Sequence, residues 1–327
     1  MPDSTTKQRG GAAARPPVDL AAIEAAAKRI AGRVRRTPVI AAAPLKEPPH
    51  DGPLWLKLEN LQVTGSFKAR GATNALLSLS EAAVRRGIIT ASGGNHGLAV
   101  AYAGWQAKAP AVIYLSENAA AGKADKLRAW GAEVVIEGAV WDDANAAALA
   151  RAERDGLSYI HPFANPNVIA GQGTTGLEML EQVPESEVLL VAIGGGGLIS
   201  GIATAAKSLK PGIRVIGVEP TGAPTLKRSL EAGALVTLPA IETAAATLAP
   251  RRSAEINLEI IARTVDEIAL VSDAEMREAA RWLWFELGVA AELSAATALA
   301  ALRSGRLDVP PGACVTALIC GAGSDGF

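Results

Sequence analysis

Short apolar runs alternate with alanine-rich stretches through most of this 327-residue chain. The apolar runs have the length of buried strands, and the stretches between them have the length and composition of helices. Strands that are joined by helices pair in parallel and are covered by those helices on both faces. The sequence therefore predicts an α/β fold with mostly parallel sheets.

Strands are predicted at the apolar runs, namely Leu54–Leu58, Gly87–Ala91, Ala111–Leu115, Glu133–Glu137, Val188–Ile193, Arg214–Glu219, Glu267–Val271 and Cys314–Cys320. Helices are predicted between them at Ser66–Ser78, Asn95–Lys108, Lys123–Trp130, Asp142–Asp155, Pro166–Gln182, Leu198–Leu209, Asp273–Leu287 and Ser294–Leu302. Ser272 and Glu275 supply a capping residue and an early acid at one helix start. Because there is no repeat or low-complexity linker, two domains would have to be interleaved.

Composition excludes several classes of protein. The net charge is -1 and the pI is near 6.4, which argues against nucleic acid or an anionic membrane as a partner. Two cysteines, Cys314 and Cys320, suit reduced thiols in a cytoplasmic protein. Residues 1–16 are polar and predict a disordered tail without a secretory signal. The uncharged run Val188–Ala206 is interrupted by four glycines, so a strand, a loop and a helix explain it better than a membrane span.

Lys68 is the first candidate for chemistry. It lies between Phe67 and Ala69, and no carboxylate occurs in the stretch Thr64–Ala72. An apolar setting lowers the pKa of an amine, which suits a lysine that forms a Schiff base. We expect Ser66 to cap the helix that carries Lys68. A capped helix whose lysine points to water explains the same residues.

A second candidate is the loop Ser92, Gly93, Gly94, Asn95 and His96, which follows a predicted strand and opens a predicted helix. The free amides and dipole of a helix N-terminus can bind a carboxylate. Asn95 is expected to cap the helix, and its amide could bond a phenolic oxygen. A plain strand-to-helix turn remains the alternative. His96 is a poor metal candidate because no second His or Cys lies near it in sequence.

A third candidate is the run of four glycines Gly194, Gly195, Gly196 and Gly197, followed by Leu198. Successive glycines expose amides that can surround a phosphate at the start of a helix. The run lacks the Gly-Lys-Ser/Thr ending of a P-loop. It also has Ser200 where the dinucleotide fingerprint has its third glycine.

Together these segments resemble the fold type II family of pyridoxal-phosphate (PLP) enzymes, in particular serine/threonine dehydratases and serine racemase. The resemblance runs from Pro17 to Gly326 and includes Gly171–Thr174 and Val218–Pro220. It implies two interleaved open twisted sheets, with a large PLP-binding domain at 17–86 and 165–327 and a small substrate-side domain at 87–164. It also implies a homodimer.

The resemblance also implies a role for each motif. Lys68, after Phe67, would hold the cofactor as a Schiff base, and Asn95 would bond its phenolic oxygen. The glycine run with the Leu198 amide would hold the phosphate, and Cys320 would face the pyridine nitrogen. The substrate carboxylate would bind at Ser92, Gly93, Gly94, Asn95 and His96.

Two departures from the family pattern bear on the reaction and on metals. The racemases place a second acid/base serine where this chain has Gly93, which favours elimination over racemisation unless Ser92 takes that part. Glu219 and Ala223 match a divalent-cation site, but Thr225 stands where relatives have an acid. The loss of a carboxylate weakens such a site, so we expect no metal.

A third departure concerns the substrate. The segment Trp141–Asn145 has no positive charge where relatives can bind a second substrate carboxylate. The predicted activity is therefore β-elimination from an L-3-hydroxy amino acid such as threonine or serine, giving a 2-oxo acid and ammonia. The alternatives are a racemase, a dehydratase for 3-hydroxyaspartate or phenylserine, a synthase that replaces the β-substituent, and a non-catalytic PLP- or phosphate-binding module. Trp141 could line a larger pocket, although a core tryptophan explains it better.

Overall fold

Two open sheets with helices on their faces organise the chain. The computed structural model describes residues 18–118 and 121–324, so the tail predicted at residues 1–16 lies outside it. The strands are β1 Val39–Ala41, β2 Leu54–Leu58, β3 Ile88–Ala91, β4 Ala111–Leu115, β5 Glu133–Ile136, β6 Ser158–Tyr159, β7 Val188–Ala192, β8 Arg214–Pro220, β9 Glu267–Val271 and β10 Val315–Ile319.

The larger sheet has six strands in the order β1-β2-β10-β7-β8-β9. Only the edge strand β1 is antiparallel to its neighbour. Every residue of β7 and β10 is buried, because helices cover both faces of the central strands. The smaller sheet, in the order β5-β4-β3-β6, is parallel throughout. The predicted α/β fold with two mostly parallel sheets is therefore confirmed.

The helices connect the strands and carry local start signals. Their bounds are α1 Leu20–Ile30, α2 Lys68–Leu77, α3 Glu81–Arg86, α4 Asn95–Ala107, α5 Ala121–Ala129, α6 Trp141–Asp155, α7 Pro166–Gln182, α8 Gly197–Leu209, α9 Thr225–Ala232, α10 Glu255–Thr264, α11 Asp273–Leu287 and α12 Leu293–Arg303. The predicted capping pair at α11 is present, since Ser272 and Glu275 bond each other's backbone amides. Sequence reasoning overlooked α1, α3, α9, α10, β1 and β6, which are short or amphipathic elements away from the apolar runs.

The two sheets are interleaved in the chain. Strand β2 pairs with β10, although more than two hundred residues separate them, and β3 to β6 form the other sheet from the segment between. This arrangement agrees with the interleaving implied by the resemblance. The boundaries at 17–86, 87–164 and 165–327 stay a prediction.

A buried ionic cluster fixes the beginning of α2 against α7. Arg70 donates to both carboxylate oxygens of Glu59, at 2.8 and 2.7 Å, and to both of Glu178, at 2.7 and 2.8 Å. Lys57 donates to Glu178 from β2 at 2.5 Å. The two helices approach closely where both carry a glycine. A Cβ on Gly171 would lie only 2.7 Å from the Cα of Gly71. The cluster thereby holds Lys68, two positions before Arg70 in the same helix, in a defined place.

No helix within residues 18–118 and 121–324 is both long enough and apolar enough to cross a membrane. The uncharged run Val188–Ala206 divides into β7, the glycine loop and the first turns of α8, as predicted.

Candidate active site

The loop before α2 is joined to the chain that leaves β10. Ser66 forms an antiparallel bridge with Gly321, and the amide of Phe67 donates to the carbonyl of Cys320 at 3.1 Å. The expectation that Ser66 caps α2 is wrong: its backbone is extended, and its buried hydroxyl has no hydrogen-bond partner among the described residues. The extended pairing replaces the cap and places Lys68 beside Cys320.

Lys68 lies in a pocket that offers it no direct carboxylate contact among the described residues. Its Nζ donates to the carbonyl of Pro162 at 2.8 Å and stands 5.1 Å from the centre of the Phe67 ring. Burial lowers the pKa of Lys68 to about 8, while Cys320 and Glu292 act in the opposite direction. A large fraction of this amine is therefore neutral near pH 8 and can act as a nucleophile or base.

The four-glycine loop offers a row of unengaged amides. Among the described residues, the amides of 194–198 donate no hydrogen bond. The carbonyl of Gly195 is turned away and accepts from Ser253 at 2.9 Å and Asn257 at 2.8 Å. A Cβ on Gly195 would lie 2.3 Å from the Phe163 ring, so only glycine fits there. This donor set, at the start of α8, fits a phosphate group.

The loop between β3 and α4 forms a second set of free amides. The amides of Gly93, Asn95 and His96 donate no hydrogen bond within the described part of the chain. The amide of Gly94 donates to the Ser92 hydroxyl at 3.3 Å, which holds the turn. These amides precede α4 and suit a carboxylate.

Asn95 does not cap α4, contrary to expectation. Gly94 occupies the cap position without a side-chain bond, and Asn95 is the first residue of the helix. Its amide nitrogen instead donates to both carboxylate oxygens of Glu292, each at 3.0 Å. The side chain reaches across to the large sheet because a stronger, charged acceptor is available there.

Glu292 is the site residue that sequence reasoning missed. It is largely buried and lies at the residue before α12. A Cβ on Gly321 would lie 2.4 Å from its Oε1, so the glycine after Cys320 leaves room for the carboxylate. One signal was available: Glu292 is an isolated acid in an otherwise uncharged stretch, two positions before a predicted helix.

Two neutral imidazoles flank the lysine. His96 is buried and donates from Nε2 to the carbonyl of Ile160 at 2.9 Å, and its Nδ1 has no partner among the described residues. Nδ1 of His161 accepts from the amides of Phe163 and Ala164. Burial and the charge of Lys68 lower the pKa of His96 to about 3 and that of His161 to about 4. Neither ring therefore adds positive charge to the site at neutral pH.

Cys320 faces the site as a neutral thiol. It is buried, and its Sγ approaches the carbonyl of Ser294 at 3.9 Å. Burial, reinforced by Glu292, raises the pKa of this thiol far above neutral pH. A neutral thiol can accept or weakly donate a hydrogen bond, but it cannot act as a counter-ion.

Glu219 and Thr225, at the positions of a cation site in relatives, make hydrogen bonds to the protein backbone. The two carboxylate oxygens of Glu219 accept from the amides of Leu226 and Lys227, at 2.8 and 2.9 Å, in the first turn of α9. Thr225 donates its hydroxyl to the carbonyl of Pro250. No cluster of three or more His, Cys, Asp or Glu suited to a metal occurs in the part of the chain that the structure describes. That the protein takes no metal stays a prediction.

The arrangement fits pyridoxal phosphate by its chemistry. The free amides can bind a phosphate, and a lysine with a lowered pKa can react with an aldehyde. A neutral thiol, Cys320, lies beside that lysine. Buried polar atoms without described partners, among them the Ser66 hydroxyl and His96 Nδ1, are further candidates for contacts with a ligand.

Comparisons with known proteins agree with this assignment. Residues 30–321 match the family model described as pyridoxal-phosphate dependent enzyme. The chain is 39% identical to L-threonine ammonia-lyase of Thermotoga maritima over 89% of this chain and 72% of that one. It is 37% identical to phenylserine dehydratase of Ralstonia pickettii over 94% of both. Its fold matches maize serine racemase with a TM-score of 0.89, at 34% identity over 94% of each chain.

The recognition, the fold class and the cofactor predicted from the motifs are thereby confirmed, whereas the part played by each site residue stays a prediction. The chain belongs to the family of pyridoxal-phosphate dependent enzymes, and pyridoxal phosphate is its cofactor.

Proposed function

We propose that the protein catalyses β-elimination from an L-3-hydroxy amino acid such as threonine or serine, giving a 2-oxo acid and ammonia. L-threonine ammonia-lyases and catabolic L-threonine dehydratases are among its relatives, at 36–40% identity. The observation that carries the proposal is the setting of Lys68, which has a carbonyl as its partner and lies in a site with two sets of free amides. That setting supplies one proton-transfer group and two anion sites.

Lys68 is the catalytic residue in this proposal. Bound pyridoxal phosphate would supply an electron sink for the electron pair that stays on the α-carbon when its proton leaves. The neutral amine of Lys68 takes that proton, which its lowered pKa permits near pH 8. Its carbonyl partner Pro162 can orient the amine without competing for its lone pair.

The two loops hold the anionic groups. The amides of 194–198 would bind the cofactor phosphate, and the amides of Gly93, Asn95 and His96 would bind the substrate carboxylate. The dipoles of α8 and α4 favour both anions. Because His96 is neutral, the substrate carboxylate would be held by backbone amides and the helix dipole and not by a charged imidazole.

Cys320 favours elimination over proton return. Its neutral thiol would face the nitrogen of the cofactor ring and would not hold that nitrogen protonated as a carboxylate would. A ring without that proton would be a weaker electron sink, which would favour loss of the β-substituent over return of a proton to the α-carbon. Gly93 supports the same outcome because it offers no side chain for proton transfer on the opposite side.

A second candidate substrate class has an aromatic β-substituent. The indole nitrogen of half-exposed Trp141 donates to the carbonyl of Ala91 at 2.9 Å, directly before Ser92. The indole therefore borders the loop that would bind the substrate carboxylate. The 37% identity to phenylserine dehydratase favours the same class.

The test is release of 2-oxo acid and ammonia from L-serine, L-threonine, L-threo-3-phenylserine and L-threo-3-hydroxyaspartate. We expect turnover of monocarboxylic substrates and little of hydroxyaspartate. Borohydride reduction of the loaded enzyme should leave a pyridoxyl mass on Lys68. Deuterium at Cα with inversion and no 2-oxo acid would instead identify a racemase that uses Ser92. A homodimer and a cytoplasmic location are part of the same proposal.

A further inference from the structure

Glu292 lies where the N-termini of two helices meet. It is the residue before α12, while its partner Asn95 is the first residue of α4. An acid at a helix start ordinarily bonds the amides of its own helix, but this side chain makes no capping bond to α12. Its carboxylate extends instead to the Asn95 amide, 3.0 Å from each oxygen. The positive ends of both helix dipoles favour its negative charge.

The carboxylate lies against the chain that leaves β10, directly after Cys320. Glu292 is 9% exposed, its backbone amide donates to the carbonyl of Gly321 at 3.2 Å, and a Cβ on Gly321 would collide with Oε1. Its charge acts on both Lys68 and Cys320. A carboxylate is costly to bury, and neither elimination nor phosphate binding as proposed above uses it. Its position therefore calls for a role inside the site.

We propose that Glu292 is a positioning residue: its carboxylate holds the Asn95 amide in place and supplies the negative charge of a site whose thiol and imidazoles are neutral. The inference rests on the role proposed above for Lys68 and adds a group that sets the pH at which that lysine works. Glu292 acts through its neighbours and exchanges no proton with the substrate.

The other titratable groups around Lys68 do not contribute a charge that stabilises its ammonium. They lie on three neighbouring segments: Cys320 follows β10, His96 is the second residue of α4 and His161 follows β6. The thiol and both imidazoles are neutral at pH 7 for the reasons given above. Loss of the Glu292 charge should therefore make the Lys68 nitrogen easier to deprotonate.

The experiment measures covalent loading of the apoenzyme with pyridoxal phosphate as a function of pH, by visible absorbance. Wild type is compared with Glu292→Gln, which keeps the shape and removes the charge. The matched control is Glu255→Gln, an exposed acid in the first turn of α10. We expect the loading midpoint of Glu292→Gln to fall by about one pH unit, so that loading at pH 7 is about fivefold faster.

The positioning half is tested by affinity for pyridoxal phosphate in a double-mutant cycle. Glu292→Gln should weaken binding in the wild-type background and have little further effect in Asn95→Ala, because the two act as one unit. If the Gln variant does not fold, Glu292→Asp is used in its place. It should keep the wild-type loading midpoint and bind pyridoxal phosphate more weakly. Binding with wild-type affinity would contradict the positioning role.

The outcomes separate this inference from the proposed function. A midpoint that is the same in wild type, Glu292→Gln and Glu255→Gln overturns the inference. A pyridoxyl mass on Lys68 together with that result leaves the proposed function intact. Absence of that mass in reduced wild type overturns the proposed function itself.

Discussion

Lys57 and Lys68 are two amines eleven positions apart, the first fully buried and the second partly buried, and they have opposite settings. Lys57 is completely buried in β2 and donates to Glu178 at 2.5 Å, to the Gln182 side chain at 2.8 Å and to the carbonyl of Thr37 at 2.7 Å. Lys68, at the start of α2, has the carbonyl of Pro162 as its hydrogen-bond partner among the described residues. Burial lowers the pKa of both.

The difference shows that burial alone does not make a lysine reactive. Three acceptors, one of them a carboxylate, surround the Lys57 ammonium. The protonated form of Lys57 is therefore needed for these hydrogen bonds. Lys68 keeps one neutral acceptor, and its carboxylate neighbour Glu292 bonds Asn95 instead. Lys57 is therefore a structural cation, and Lys68 can give up its proton.

The largest expected effect is on catalysis. Lys68→Ala should lower 2-oxo acid release at least about a thousandfold, since it removes the proposed proton-transfer group. Pyridoxal phosphate should still bind without a covalent bond, because the glycine loop is unchanged. Steady-state assays and borohydride reduction measure the two effects. Equal rates in wild type and variant would show that this lysine has no part in the chemistry.

The next effect is on stability, and it belongs to the other lysine. Lys57→Met should lower the free energy of unfolding by about 3 kcal/mol, because it removes one cation from the buried ionic cluster around Glu178 and leaves the side-chain oxygen of Gln182 without this donor. Urea unfolding followed by circular dichroism measures it, and covalent loading of Lys68 should persist.

The control for Lys57→Met is Lys207→Met. Lys207 donates to Asp266 at 2.8 Å, but both side chains are partly exposed. Its loss should cost less than about 1 kcal/mol. If the Lys57 variant is as stable as the Lys207 variant, the contrast between a structural and a reactive lysine loses its basis.

Sequence reasoning was most informative where a candidate site is one contiguous segment. The glycine loop 194–197 could be singled out from its composition, because adjacent backbone amides need no distant partner, and its role in phosphate binding stays a prediction. The apolar runs likewise predicted both sheets, with bounds close to those observed at β2, β4 and β9.

It failed where a side chain chooses between local and distant partners. Ser66 and Asn95 have good capping propensity, but Ser66 pairs with Gly321 and Asn95 bonds Glu292. These partners lie about two hundred residues away, and one sequence gives no measure of that proximity. Propensity is a weak guide where a tertiary contact offers a better bond.

The smallest expected effect is on the pH dependence of covalent loading. It measures the contrast between the two lysines most directly, because it depends on the protonation state of Lys68. The pKa of Lys68 is about 8, so its neutral fraction rises with pH and reaches half near that value. Covalent loading of the apoenzyme should thus be about tenfold slower at pH 7 than on its plateau above pH 9. N-acetyl-lysine methylamide, with an ordinary pKa near 10.4, is the reference and should still gain rate above pH 9. If the enzyme follows the reference instead of levelling off, the Lys68 pocket does not lower its proton affinity. A pyridoxyl mass on Lys57 would show that its ionic cluster does not hold the ammonium.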